Sequence, residues 1–176
     1  LQGGKEPYMQ RVRQLSVFLE NKPGQLFSMA QTLAREGINI TAMSIQDATE
    51  YIQGMFNKAR EVTLRRIAST ASYSAILKEA SLVTLIRFLT SDPQRSVEVL
   101  EKAGYLVNTS EVIALVMDNR PGQLAAVSEM LARAQINIDY TYGSALENAE
   151  KALFVFHVSD IDAALEALGS LTGAQI

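Results

Sequence analysis

A stretch of 21 residues occurs twice in this 176-residue chain, and the repeat limits what the chain can fold into. Residues 20–40 read ENKPGQLFSMAQTLAREGINI and residues 118–138 read DNRPGQLAAVSEMLARAQINI, so eleven positions match at a constant offset of 98. The matches run from Asn21, Pro23, Gly24, Gln25 and Leu26, against Asn119, Pro121, Gly122, Gln123 and Leu124, to Ile38, Asn39 and Ile40, against Ile136, Asn137 and Ile138. One long domain has no reason to repeat a segment in register. The chain therefore reads as an internal duplication of two units of roughly 75 to 100 residues, each marginal by itself.

A second match pairs LIRFLTSDPQRSVEVL at 85–100 with LFVFHVSDIDAALEAL at 153–168, now at an offset of 68. The first half thus carries about 30 extra residues between Ile45 and Leu82. The expected domains are 11–110, with an insert at about 47–81, and 111–176. In the insert Tyr51, Ile52, Met55, Phe56, Ala59, Val62 and Ile67 recur at approximately helical spacing, which predicts a helix over about 48–68.

Within each copy the hydrophobic period switches in the same order. Leu15, Val17 and Leu19 alternate through a strand at 12–20, with Phe18 on its other face. Pro23 suits the first turn of a helix at 24–36, where Leu26, Met29 and Leu33 form the buried stripe and Gly37 ends it. Strands follow at 38–46 and 82–90. Asp92 then stands where an N-cap is wanted, with Pro93 after it, opening a helix at 93–103; Asp160 matches it in the second copy. A strand at 105–109 runs, with a bend near 108–110, into a strand at 112–117. The closing LTGAQI is short and weakly apolar, so the second copy is expected to lack its last strand or to form it irregularly. Residues 1–10 receive no role.

The order β-α-β-β-α-β with right-handed crossovers puts both helices on one face of an antiparallel sheet, the ferredoxin-like α+β arrangement. Phe18, Ile113, Leu115 and Met117 are expected on the opposite face, where they need cover; with the sheet edges they predict a homodimer.

Composition removes several function classes. The net charge is −3, without the basic cluster that nucleic acid requires. There is no cysteine, and His157 is the single histidine, so thiol chemistry and a histidine-rich zinc site are excluded within one chain. No run approaches the length of a membrane span and no hydrophobic signal core opens the chain, so a cytoplasmic protein is expected. Asp47, Glu50 and Asp139 are isolated carboxylates, without a nucleophile and base pair or a glycine-rich nucleotide loop, and the chain is expected to be no enzyme and to need no cofactor.

The strand, the N-[KR]-P-G-Q-L turn, the helix and the I-N-I strand resemble the ACT domain, and the whole chain is similar to a tandem ACT-domain protein. The resemblance covers about 12–46, 82–118 and 119–169, leaving out the insert. It implies a regulatory module that binds a free amino acid, as a separate subunit or sensor beside a metabolic enzyme; the alternative is an interaction or oligomerisation module without a small ligand. It also implies that the effector lies between the strand-to-helix turn of one domain and the second strand of a neighbour.

The residues suit such a ligand. Gly24 and Gly122 remove a side chain beside the first helical turn, Lys22 and Arg120 add positive charge there, and the helix N-terminus favours a carboxylate. Asn21, Asn39, Asn119 and Asn137 offer both donors and acceptors to a zwitterion. Gln123 follows the second turn, and Asp139, with Tyr140 and Tyr142, is placed for ammonium and side-chain contacts. The second copy is expected to be the better site because its strand-to-strand segment is uninterrupted. His157 lies out of phase with Phe154, Phe156 and Val158 and is expected to be structural or interfacial.

Overall fold

The computed structural model describes residues 8–47, 82–144 and 149–169. The helix expected over 48–68 and the closing LTGAQI lie outside them. Contacts gather into two compact units, Leu15–Asn108, and Leu1–Gln14 with Thr109–Ile176.

The first unit contains the C-terminal half of β1 (Tyr8–Glu20), then α1 (Gln25–Arg35), β2 (Ile40–Asp47), β3 (Val83–Thr90), α2 (Pro93–Lys102) and the opening residues of β4 (Val107–Asp118). β3 runs antiparallel between β1 and β2, with Ile86 opposite Val17 on one side and Ile45 on the other. The second unit holds the rest of β4, α3 (Gln123–Arg133), β5 (Ile138–Ser144), β6 (Lys151–Val158) and α4 (Ile161–Leu168). Here β6 runs antiparallel between β4 and β5, with Val155 opposite Ala114 and Tyr142. Both repeats are thus ferredoxin-like, with antiparallel strands.

Alternation builds the cores. Leu15, Val17, Leu19, Ile86 and Phe88 meet Met29, Leu33 and Leu100 in the first unit. In the second, Ile113, Leu115, Met117 and Phe156 meet Val127, Leu131, Ala164 and Leu168. Burial of each large side chain contributes about 1.5–3 kcal/mol. The second-copy strand residues Ile113, Leu115 and Met117 therefore face the helices, contrary to their expected place on the opposite face. The offset of 98 already equates them with Leu15, Val17 and Leu19. Phe18 does lie out of phase with that core and is 36% exposed.

The long strands β1 and β4 are each divided between the units. Residues 8–14 of β1 belong with the second repeat, where β1 neighbours β4 and Met9 packs against the core. Tyr105 and Val107 pack against the core of the first. The second repeat thereby receives its fourth strand from the opposite end of the chain. Tyr8–Gln10, given no role from sequence, are strand, and the strands expected at 105–109 and 112–117 run together as the single strand Val107–Asp118. Polar Arg11 and Arg13 hide the strand's apolar phase; Arg11 bonds to Glu111 and Asp162.

The helices begin in two ways. Asp92 Oδ1 accepts from the Arg95 backbone N–H and Asp160 Oδ1 from that of Ala163, each at 3.0 Å, so α2 and α4 carry side-chain caps as expected. α1 and α3 have none; Gly24 and Gly122 occupy their N-cap positions with φ of 91°. Pro23 and Pro121 precede these glycines and lie outside the helices. Lys22 to Gln25 and Arg120 to Gln123 each close with a backbone bond from the glutamine N–H to the Lys22 or Arg120 carbonyl, at 3.4 and 3.3 Å. With glycine third and left-handed, this is a type II turn, and proline in second place presets its entry.

Candidate functional site

Each turn is bolted to its sheet through asparagine backbone. Asn21 N–H donates to the Leu82 carbonyl at 2.6 Å, and Asn119 N–H to that of Glu150 at 2.9 Å. The Asn119 side chain adds a bond from Nδ2 to the Ala149 carbonyl at 3.1 Å. A Cβ built on Gly24 or Gly122 would meet nothing within 4 Å, so the glycines answer the positive φ and leave open space beside uncapped helix ends.

The flanking bases have partners. Lys22 Nζ lies 2.9 Å from Glu20, and Arg120 pairs with Asp118, the matching acid at the end of the preceding strand. The second turn adds Lys151, whose Nζ donates to Asp118 at 2.6 Å. Lys151 and Arg120 together hold the Asp118 carboxyl below its ordinary range. Lys22 with Glu20 sums to zero, and at the second turn Arg120 and Lys151 are balanced by Asp118 and the exposed Glu150, whose carbonyl takes the Asn119 N–H.

Asn39 and Asn137 occupy the other end of each sheet. Their backbone N–H groups donate to Ser91 Oγ and Ser159 Oγ, both at 3.1 Å, and their carbonyls accept from the same serines at 2.9 and 3.0 Å. Along β6, Lys151 next to Asp118 and Ser159 bonded to Asn137 are separated by roughly 25 Å at about 3.3 Å per residue. Asn21, Lys22 and Gly24, or Asn119, Arg120, Gly122 and Gln123, therefore do not join Asn39, or Asn137 and Asp139, within one repeat.

Around Asn137 the second repeat carries more. A bulge offsets β5 against β6 between Ile138 and Tyr140, as one does in β2 between Ile40 and Ala42, leaving Asp139 and Thr41 as the extra residues. Asn137 Nδ2 donates to Asp139 Oδ1 at 2.9 Å, and His157 Nδ1 lies 3.0 Å from Asp139 Oδ2. The His157 ring stacks on Tyr140 with centroids 4.8 Å apart and planes 13° from parallel. Tyr140 Oη accepts from Gln14 Nε2 at 2.6 Å, Tyr142 Oη donates to Gln14 Oε1 at 3.0 Å, and Ser110 Oγ lies 3.2 Å from Gln14 Nε2. Gln14 is fully buried, and Asp139 keeps 42% of its side chain exposed.

Gln14 and Ser110 escape sequence reading because nothing in their spacing links them to residues more than a hundred positions away. His157, expected to be structural or interfacial, contacts Asp139 and Tyr140. A signal was available where the copies differ: Asp139, Tyr140, Tyr142 and His157 stand where the first copy has Thr41, Ala42, Ser44 and Leu89.

A groove of about 500 Å³ runs between α1 and α2, lined by Thr32, Arg35, Glu36, Arg95, Glu98, Val99, Lys102 and Ala103. It contains none of the candidate ligand residues. Among the described residues, no group of three or more His, Cys, Asp or Glu side chains could hold a metal ion, and no helix is long and apolar enough to cross a membrane.

No curated protein matches the chain. Among solved structures, it is similar to protein BT0572 from Bacteroides thetaiotaomicron, with 27% identity, a TM-score of 0.67, and 92% of this chain and 89% of that one covered. The regulatory subunit of aspartate kinase from Thermus thermophilus shares the fold at 14% identity and a TM-score of 0.57, with 95% and 97% covered. The corresponding subunit from Thermus flavus does so at 14% and 0.56, with the same coverage. The model of the ACT domain matches residues 13–81 and that of the ACT domain pair matches residues 52–170, most of the chain. The chain belongs to the ACT-domain family, as a tandem pair.

Proposed function

We propose that this chain is a non-catalytic regulatory or sensor protein that binds a free amino acid, its carboxylate beside the backbone at Gly122 or Gly24. The contrast among the four described helices carries the reading: α2 and α4 begin with an aspartate cap, while α1 and α3 begin uncapped behind the repeated type II turn. A ligand carboxylate there would take the place of the missing cap oxygen. The fold-level likeness to regulatory subunits of aspartate kinase agrees with action beside a metabolic enzyme.

The test is a thermal-shift panel of the twenty amino acids, because a ligand bound only by the native state raises its apparent stability by ~2.7 kcal/mol at a hundred times Kd. One or a few amino acids should raise the melting temperature, with calorimetry confirming the affinity. Absence of binding to every amino acid at millimolar concentration would end the sensor reading in favour of an interaction module.

The same reading includes a homodimer. Met43 and Ile45 on edge strand β2 are 41% and 51% exposed, an apolar edge of the kind that proteins cover. Sedimentation at micromolar concentration should give twice the chain mass; a particle of single-chain mass removes this part.

A further inference from the structure

The two repeats differ in where they leave large apolar side chains uncovered. Phe18, Phe27, Met43, Ile45, Leu82 and Leu106 are exposed in the first unit, whereas among the described residues of the second only Leu124 is. Met43 and Ile45 stand opposite Phe88 and Ile86, so they share the phase of the core and point to the helix side of the sheet. β2 is an edge strand, and their exposure shows that α1 does not cover it fully. Phe27, in the first turn of α1, is 66% exposed. α1 turns Thr32, Arg35 and Glu36 toward α2. At about 100° per residue, Phe27 falls on the other flank with Ala30 and Ala34, the flank nearer β2 because α1 is the crossover from β1 to β2. Leu82, 60% exposed, precedes β3 at the same end of the sheet, where its carbonyl accepts from Asn21 N–H.

The second repeat makes the same fold without this surface. Ala125, Thr141, Gly143 and Glu150 stand where the first has Phe27, Met43, Ile45 and Leu82. The fold therefore does not require the four apolar side chains, and a patch kept in one copy alone points to something that covers it.

The repeats also differ in one connection. β5 passes to β6 through residues 145–150, while β2 passes to β3 through residues 48–82. Both ends of the longer link lie beside the exposed side chains: Asp47, two residues from Ile45, pairs with Thr84, two residues from Leu82. The link's sequence carries a matching surface, since Tyr51, Ile52, Met55, Phe56, Ala59 and Val62 fall on one side at the helical period. A helix over 49–62 would span roughly 20 Å, and residues 63–81 have ample length to return to Leu82.

We infer that the furrow bounded by Phe27, Met43, Ile45 and Leu82 is a docking surface for the chain's own link, whose apolar stripe packs on it. The uncovered surface and the long link occur in the same repeat and at the same end of the same strand, and the other repeat has neither. A stripe seated there lies over β2 on its helix side and leaves the strand's outward backbone edge to the homodimer read above.

The test uses the full chain, which has no cysteine of its own. Ile45→Cys is combined in turn with Met55→Cys and Val62→Cys, on the stripe, and with Asn57→Cys, on the opposite side of the same helical wheel. In dilute protein under mild oxidation, the stripe pairs should form a disulfide within one chain and the Asn57 pair should not. Thiol labelling supplies a second reading that needs no bond to form. The lone Ile45→Cys thiol should react with a maleimide about tenfold faster or more once Met55→Asp and Phe56→Asp put charge on the stripe. A Thr141→Cys thiol, at the place of Met43 in the second repeat, should label at the same rate with and without those two changes. Disulfides formed only between chains would give the furrow to a second copy and overturn the inference. No preference for the stripe over Asn57, or unchanged labelling at Ile45→Cys when the stripe is charged, would overturn it as well.

Discussion

Gly143 on β5 faces Phe154 on β6, and a Cβ added to Gly143 would stand 2.6 Å from Cδ1 of that ring and 3.1 Å from the Leu153 carbonyl. The ring covers the glycine of an edge strand and fills the place of its side chain. At the matching position the first repeat pairs Ile45 with Ile86. Gly143→Ala is therefore expected to destabilise by about 1–3 kcal/mol through overpacking. In a urea-melt double-mutant cycle, combining it with Phe154→Leu should recover part of that loss. Strict additivity would show that the ring is not the obstacle.

The helix ends offer a gain rather than a loss. α1 and α3 both close with a left-handed residue, Gly37 at φ 70° and Gln135 at φ 58°. In each, its N–H reaches back three residues and the next N–H, from Ile38 or Ile136, reaches back five. Glutamine carries a side-chain penalty in that conformation, partly offset by its Nε2 bond to the Ala132 carbonyl at 3.2 Å. Gln135→Gly should stabilise by ~1 kcal/mol, and Gly37→Gln should destabilise by a similar amount. Chemical denaturation with unchanged slope decides both signs.

Much of this architecture was legible because duplication supplied two readings of each element. Asp92 and Asp160 were recognisable as caps from position alone. The division of β1 was not, since Arg11 and Arg13 interrupt the apolar phase and the partners of Arg11, Glu111 and Asp162, lie in other elements. The turn was legible as a turn but not as a type II turn, because proline suits both that position and a first helical residue. For the candidate site, sequence named Asn137, Asp139, Tyr140 and Tyr142. It could not reveal that Asn119 and Asn137 stand at opposite ends of one sheet, which follows only from strand register. Gln14 was invisible because it meets Tyr140 across 126 positions of chain.

Asp118 gives the second repeat an acid-sensitive point. Lys151 and Arg120 lower its pKa below the ordinary 3.8, so folding is favoured by its ionised form. The sign follows: the contribution is complete above the unfolded value and disappears as pH falls through the lower folded value. Melting temperature should fall with acidification in that window, and Asp118→Asn should flatten part of the fall while lowering stability at neutral pH. Added salt should shrink the difference, because the pairs are partly exposed. An unchanged acid limb in Asp118→Asn would remove this residue from the explanation.

The last prediction concerns the strand that reaches the second repeat from the far end of the chain. Residues 109–169 contain β-α-β-β-α but no fourth strand, and Met9 is among the side chains packed against their core. Alone, such a fragment leaves one side of β4 unpaired and should lack a cooperative urea transition. Appending residues 8–14 after α4 should restore it. The connection is feasible in length because the first repeat passes from α2 to β4 through only residues 103–106. The restored fragment should unfold cooperatively and regain dispersed amide resonances. A version with Met9→Asp should recover less, since it places a charge against the apolar cluster. If residues 109–169 fold cooperatively without the appended strand, the N-terminal half of β1 is an accessory to the second repeat and not part of its minimum fold.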